Sequence, residues 1–401
     1  MSYLKYINNQ LQFDEASLLP LLQPYRGPVY VYSRRIVRRR IEQMSEALSG
    51  VKLFYAVKAN ANLEILKVVK NSRCNVDVVS LGEVKRALEA GFRPDQIIFS
   101  GVGKTKSEIA ESLKYGIHQL NAESEPEVDR ISQLAKELGV TADLVLRLNP
   151  NIDIKTHPYI ATGLKENKFG IEISKVDVLI QKCLQPGSHL RLKGISLHLG
   201  SQMLEIDSFA SALQLIKPLF SKWKSQVASM DRFDIGGGLG IIYHHREQPD
   251  FLKTEADLLA SYSQVIKTHL ADFQKQGIQL QSEPGRWLVG HSGVLMTEIQ
   301  YIKQTEHKKF MIVDSGMNHL MRPSLYQAYH EIYALKDSSS AEENFDVVGP
   351  VCESSDYFAK NRLLKAAAAG DFLAVADVGA YGFSMSNNYN LHSLPQEIFI
   401  G

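Results

Sequence analysis

"KLFYAVKAN", residues 52–60, decides how the rest of the chain is read. Leu53 to Val57 form an apolar run of strand length, the pattern of a parallel strand buried on both faces. The run ends on Lys58, and a buried ammonium is expensive unless it is paired, neutralised or chemically used. Taken alone, the plainer reading is a strand-end lysine whose ammonium snorkels into water. Similar apolar runs recur at 75–80, 97–101, 117–121, 143–149, 194–199, 232–236 and 278–283. Most of the gaps carry helix-period patterns such as "NLEILKVVKNS", "LGEVKRALEAG", "VDRISQLAKELG" and "SFASALQLIKPLFSKW". Strand alternating with helix implies parallel βαβ units. Eight units in about 235 residues match a closed (β/α)8 TIM-like barrel, although an open doubly wound sheet also alternates.

Past residue 290 the rhythm changes. "VLMTEIQYIKQ", "KKFMIVDSG", "FDVVGPVC" and "DFLAVADVGAYG" are β-rich runs separated by turns, which predicts a second, mostly β domain. The early run "PVYVYS" (28–33) precedes the first barrel helix and is free to pair with that domain. The expected division is a barrel over 34–285, with 1–33 and 286–401 forming the β domain.

Length and composition bound the function. The 401 residues suffice for two domains or a large barrel with an appendage, and the formal net charge of +1 gives no case for nucleic acid or an anionic membrane. The basic cluster "SRRIVRRR" (33–40) opens a helical pattern and reads as a solvated helix face. "MSYLKYINNQLQF" lacks a signal-peptide apolar stretch, and no run approaches the roughly 20 apolar residues of a membrane span. Cys74, Cys183 and Cys352 show no metal or disulfide spacing, so the chain reads as cytoplasmic with reduced thiols.

In such a barrel the chemistry lies at the C-terminal ends of the strands. Lys58 ends the first; "SLHLGSQ" ends the sixth with His198 and Ser201; "DIGGGLG" (234–240) ends the seventh; "SEPGRW" ends the eighth with Glu283 and Arg286. Each has a bland alternative: a tight structural turn for the glycines, a salt bridge to Arg286 for Glu283, a satisfied core histidine for His198. Four strand ends delivering these groups to one face is harder to dismiss. Successive glycines let backbone N–H groups approach a phosphate, though the pattern is neither a dinucleotide fingerprint nor a P-loop. A lysine for a Schiff base, a phosphate cradle, an acid for a pyridinium and a flat imidazole describe a pyridoxal 5'-phosphate site. Burial of Lys58 is expected to keep its amine nucleophilic.

With "FYAVKAN", "VDVVSLGE", "FSGVGKTKSE", "LHLGSQ", "DIGGGLG", "EPGR", "DSGMNHLMRPSLYQAYH", "VGPVCESSD" and "ADVGAYGFSMSNNYN" in order, the chain resembles the barrel-fold pyridoxal-phosphate decarboxylases of basic amino acids. The resemblance is greatest to the diaminopimelate decarboxylases among them. It implies a carboxy-lyase converting meso-2,6-diaminopimelate to L-lysine and CO2, the last step of lysine biosynthesis. It also implies residue roles. Lys58 carries the cofactor, His198 stacks on its ring, and Ser201 with Gly236, Gly237 and Gly238 holds its phosphate, beside Gly285 and Arg286. Glu283 pairs with the pyridine nitrogen. Arg286, Arg322 and Tyr326 grip the carboxylate that is retained, Glu353 takes the distal ammonium, and Tyr381 touches phosphate and substrate. Cys352 reprotonates the carbon that loses CO2. The "CES" segment is expected to enter from the partner subunit of a homodimer with shared active sites.

The residue chemistry agrees with these roles, because arginine forks bind carboxylate and a carboxylate answers an ammonium. An ornithine or arginine decarboxylase has no use for the paired arginines. An amino-acid racemase shares barrel and cofactor and would differ in its product. A non-catalytic binding protein would have lost Lys58, Cys352 or the glycine cradle, all of which are present. Two stretches depart from the family pattern: Trp287 and His291 stand where smaller or less aromatic residues are usual, and "NYNLHSLPQE" lacks arginines after "NYN". Both bear on fine substrate preference. The polar loop "KTHPYIATGLKENKFG" (155–170) is a candidate lid.

Overall fold

A computed structural model of the chain describes residues 3–152, 167–338 and 340–401. Most of the candidate lid, residues 155–166, lies outside the described residues. The chain divides into two compact units: Ile41–Gly240 with Ala256–Gly285, and Met1–Arg40 with Ile241–Glu255 and Arg286–Gly401.

The first unit is a closed parallel barrel of β1 (Val51–Ala56), β2 (Asn75–Val78), β3 (Ile97–Phe99), β4 (Gln119–Ala122), β5 (Ala142–Asn149), β6 (Leu190–Leu197), β7 (Arg232–Asp234) and β8 (Gln279–Ser282). Neighbours pair parallel around the ring, and β8 closes on β1 with Leu280 opposite Val51. The doubly wound sheet is thereby excluded, and the strand runs of the sequence supply all eight staves. Leu53, Phe54, Tyr55 and Ala56 are buried, as a stave covered on both faces requires.

Helix starts follow from side-chain caps. Asn62 accepts from Glu64 N–H before Leu63–Asn71, Ser80 from Glu83 N–H before Leu81–Glu89, and Ser124 from Glu127 N–H before Glu125–Leu138. Each cap sits shortly after a strand, which keeps the loops at the chemical end of the barrel short. The sixth strand begins at Leu190, earlier than its apolar run, and shifts register between Leu192 and Gly194. A Cβ on Gly194 would lie 1.9 Å from the Arg232 carbonyl oxygen, so only glycine fits there.

The second unit is built on the strands Val29–Ser33, Gly293–Gln304, Lys309–Val313, Ile332–Ala334, Glu342–Val348, Tyr357–Lys365, Phe372–Val375 and Gln396–Ile400. Val29–Ser33 pairs antiparallel with the start of Gly293–Gln304 and parallel with Gln396–Ile400, so the "PVYVYS" run does join the β unit. Val29, Val31, Val294, Met296 and Ala374 form part of its core with Leu11, Phe13 and Leu18 of the N-terminal segment.

Two segments expected in the barrel, 34–40 and 241–255, group with the β unit instead. Their side chains show why. Arg40 is buried, not solvated, and its Nη2 pairs with Glu255 Oε2 at 2.8 Å. Glu255 Oε1 meets His291 Nε2 at 2.8 Å, and His291 Nδ1 meets Asp377 Oδ1 at 2.6 Å. Trp287 stacks under Arg40, whose Nε donates to the Trp287 carbonyl. Trp287 and His291, the departures flagged in the sequence, thus belong to a buried ionic network with Arg40 and Glu255. Arg35, Arg38 and Arg39 of the same helix are exposed, as a solvated face requires.

Candidate active site

Lys58 sits two residues beyond the end of β1, in a single 3-10 turn over Val57–Ala59. The turn is pinned by its neighbours: the Tyr55 hydroxyl donates to the Asn60 carbonyl at 2.9 Å, and Asn60 Oδ1 accepts from Asn62 N–H at 3.0 Å. Asn62 in turn caps the next helix. Lys58 Nζ lies 3.4 Å from Asp77 Oδ2, at the end of β2. Its side chain is 34% exposed while that of Asp77 is fully buried. The amine therefore meets a carboxylate and open space, not the apolar enclosure expected from its strand.

Glu283, just past β8, is buried and accepts from Asn121 Nδ2 at 3.2 Å, with Ser100 Oγ at 3.4 Å. Asp234 closes β7, fully buried, and accepts from Gly236 N–H at 2.8 Å. Burial, reinforced by the negative charge of Asp234 and Asp77, pushes the Glu283 carboxyl well above its ordinary range, with Lys58 and Arg147 opposing. Burial likewise raises Asp234. Carboxyls packed this way oppose one another's ionisation, which favours a shared proton on the pair Asp234–Glu283. Asp77 Oδ1 is buried with no hydrogen-bond partner among the described residues. A cluster of this kind is set up to share a proton with a basic ring nitrogen.

His198 follows β6, and its Nδ1 accepts from Gly237 N–H at 3.3 Å, which leaves the ring proton on Nε2. Burial first, then the charges of Arg147 and Lys58, push its pKa well below the usual imidazole value. A neutral, flat ring results. The glycines that donate and turn here are sterically required. A Cβ on Gly236 would lie 2.0 Å from the Leu197 oxygen, on Gly237 2.1 Å from the Glu283 oxygen, and on Gly238 2.3 Å from the Gly200 oxygen. Gly236 and Gly238 also adopt φ of +70° and +106°. The turn is thus wedged among the ends of β6, β7 and β8, with Ser201 and Gly285 on the adjoining loops. An amine, a proton-holding acid, a neutral ring and a glycine turn on one barrel end fit pyridoxal phosphate.

Arg286, Arg322 and Tyr381 form a second cluster, within the β unit. Arg286 is buried, donates from Nη1 to the Tyr243 hydroxyl at 2.8 Å, and lies over the Tyr381 ring at 4.8 Å. Tyr381 holds φ at +57°, a costly left-handed conformation for a bulky residue. Arg322 opens the short helix Arg322–Tyr326, is buried, and lies 4.8 Å from the Tyr243 ring centroid. Its Nη1 approaches His330 Nε2 at 2.7 Å. Tyr243 and His330 were not singled out in the sequence. The one available signal was their position, six residues after "DIGG" and just past the Arg322 helix.

Cys352 and Glu353 are exposed, on the loop between Glu342–Val348 and Tyr357–Lys365. Asp356 shapes that loop by accepting from Val351 N–H at 2.7 Å and Met317 N–H at 2.6 Å. Glu353 accepts from the Tyr389 hydroxyl and from Ser355 Oγ. Nearby Leu391 is 90% exposed at a φ of +60°.

The model of the pyridoxal-dependent decarboxylase pyridoxal-binding domain matches residues 34–290. Diaminopimelate decarboxylase of Pseudomonas aeruginosa is 39% identical over 402 aligned residues, covering 100% of this chain and 94% of the relative. That of Campylobacter jejuni is 44% identical over 375, covering 92% and 90%. The crystal structure of diaminopimelate decarboxylase from Helicobacter pylori complexed with L-lysine superposes with a TM-score of 0.88 at 39% identity, covering 96% of this chain and 94% of that one. Barrel, site chemistry and full-length similarity agree: the chain belongs to the diaminopimelate decarboxylases of the pyridoxal-dependent decarboxylase family.

Proposed function

We propose that this chain removes one carboxylate of meso-2,6-diaminopimelate to give L-lysine and CO2, closing lysine biosynthesis in the cytoplasm. The observation that carries the substrate is the pair of buried arginines, Arg286 and Arg322, joined through Tyr243. Two buried guanidiniums answer a carboxylate that the reaction keeps, and diaminopimelate has one. Net chemistry replaces a carboxylate by a proton at one carbon.

Pyridoxal phosphate, when bound, supplies an electron sink for the pair of electrons left by departing CO2. Lys58 would hold its aldehyde carbon, Glu283 its ring nitrogen, and His198 its ring face. Ser201, Gly236, Gly237, Gly238, Gly285, Arg286 and Tyr381 would hold its phosphate. Asp77 keeps the Lys58 amine at a fixed place, and the Asp234–Glu283 pair holds a proton for the ring nitrogen. Arg286, Arg322 and Tyr326 bind the retained carboxylate, with Tyr381 beside it. Glu353 takes the distal ammonium and Cys352 Sγ delivers the proton to the carbon that has lost CO2.

Cys352 and Glu353 are exposed in the single chain, beside Tyr389 and the fully exposed Leu391. This supports a homodimer in which Cys352 of the partner subunit serves each site. Among the described residues no helix is long and apolar enough to cross a membrane. Product analysis tests the reading: cofactor-loaded protein should form lysine and CO2 from meso-diaminopimelate but not from ornithine, arginine or the LL isomer. CO2 from ornithine or arginine would overturn the assignment of Arg286 and Arg322, and an epimerised product without CO2 would indicate a racemase. Mixing Lys58→Ala with Cys352→Ala protein should restore turnover if sites are shared, and restore none if they are not.

A further inference from the structure

Arg322 is held by a neutral group. Its Nη1 is 2.7 Å from His330 Nε2, and His330 Nδ1 is 2.7 Å from the Ala376 carbonyl oxygen. The carbonyl can only accept, so Nδ1 carries the proton and Nε2 offers its lone pair to the guanidinium. His330 is fully buried and packs edge-on against Tyr243, with centroids 5.2 Å apart at 78°. Burial, and then the charge of Arg322, push its pKa down to about 3, so it does not become a cation in the working range. No carboxylate of the described residues forms an ion pair with Arg322.

We infer that His330 is a positioning residue that aims the Arg322 guanidinium while leaving its charge free for a carboxylate ligand. A buried arginine needs acceptors, and an acidic neighbour would supply one while competing with the ligand for the same fork. A neutral imidazole fixed by a backbone carbonyl supplies the acceptor without the competing charge. The inference rests on the proposed role of Arg322 in binding the retained carboxylate, and it adds how that affinity is set.

Two substitutions separate charge from packing. His330→Gln keeps a neutral acceptor, whereas His330→Glu is its isostere with a carboxylate. L-Lysine and 1,5-diaminopentane, which differ only by the carboxylate, serve as ligands for calorimetry on the cofactor-loaded protein. In His330→Glu the Kd of L-lysine should rise by about tenfold or more, the scale of one charge-assisted hydrogen bond, while that of the diamine stays within about threefold. His330→Gln should keep both within about threefold of the unaltered protein. Equal shifts in the Gln and Glu variants, parallel shifts for both ligands, or no preference of the unaltered protein for L-lysine over the diamine would each overturn the inference. Turnover of meso-diaminopimelate by the unaltered protein is a separate readout, so failure of the proposed function is distinguishable from failure here.

Discussion

At the scale of single residues, the site is a set of buried polar groups whose partners decide their state. For Glu283, burial and the charges of Asp234 and Asp77 outweigh Lys58 and Arg147 and push its carboxyl well above the range of an isolated surface glutamate. Glu283→Gln is expected to bind cofactor, seen by its visible absorbance, yet to lose about 10²–10³ in kcat, the scale of one removed electrostatic partner. Retained activity in that variant would remove Glu283 from the ring-nitrogen role. Cys352→Ala should likewise keep the cofactor absorbance and lose about 10²–10⁴ in turnover, and near-normal turnover would exclude Cys352 as proton donor. Lys58, His198 and Glu283 were legible because each ends an apolar run, where polarity is anomalous. Asp77 and Asp234 were not singled out, since each sits inside a β pattern whose partners lie on other strands. Tyr243 and His330 likewise needed tertiary contacts to be noticed.

At the scale of elements, the eight strands were legible from apolar runs of strand length, and the helices from their period. Ends were less so. β1 stops at Ala56, not at Lys58, because the Tyr55 hydroxyl and Asn60 draw the chain into a turn, an effect no period reveals. The glycine-rich turn was read as a phosphate cradle, and the structure adds a packing reason for the same residues. Gly237→Ala would place a methyl 2.1 Å from the Glu283 carbonyl oxygen, against backbone that cannot rotate away. Overpacking of this kind costs about 1–3 kcal/mol. Thermal unfolding should fall by several degrees and cofactor retention should drop. Gly103→Ala is the control, because nothing lies within 4 Å of its Cβ, and equal losses in the two variants would contradict the steric account.

At the scale of the whole molecule, the ionic network of Arg40, Glu255, His291 and Asp377 ties three separate chain segments into the β unit. Composition hid it, because "SRRIVRRR" reads as a solvated helix face although Arg40, alone of its five arginines, is buried. His291 is fully buried; desolvation opposes its charge, but Glu255 and Asp377 outweigh that and raise its pKa from 6.5 to about 9. Asp377 is held below its ordinary value by His245 and His291 against burial. A raised histidine stabilises fully below its unfolded pKa and loses that contribution as pH rises through the folded one. Stability should therefore decline as pH rises from about 6.5 to about 9, while the Asp377 contribution fades on acidification below the normal carboxylate range. His291→Ala is expected to flatten the alkaline limb and to cost about 3–5 kcal/mol by removing the buried cation that Glu255 and Asp377 share. Chemical denaturation across pH checks this, and an unchanged alkaline limb in the variant would contradict it.

The most direct test of the account locates the covalent anchor. Cofactor-loaded protein is reduced with borohydride, digested and mapped by mass spectrometry. A phosphopyridoxyl group is expected on the peptide bearing Lys58, absent from Lys58→Ala protein. The same group on another lysine, such as Lys104, would contradict it and move the chemistry away from the end of β1.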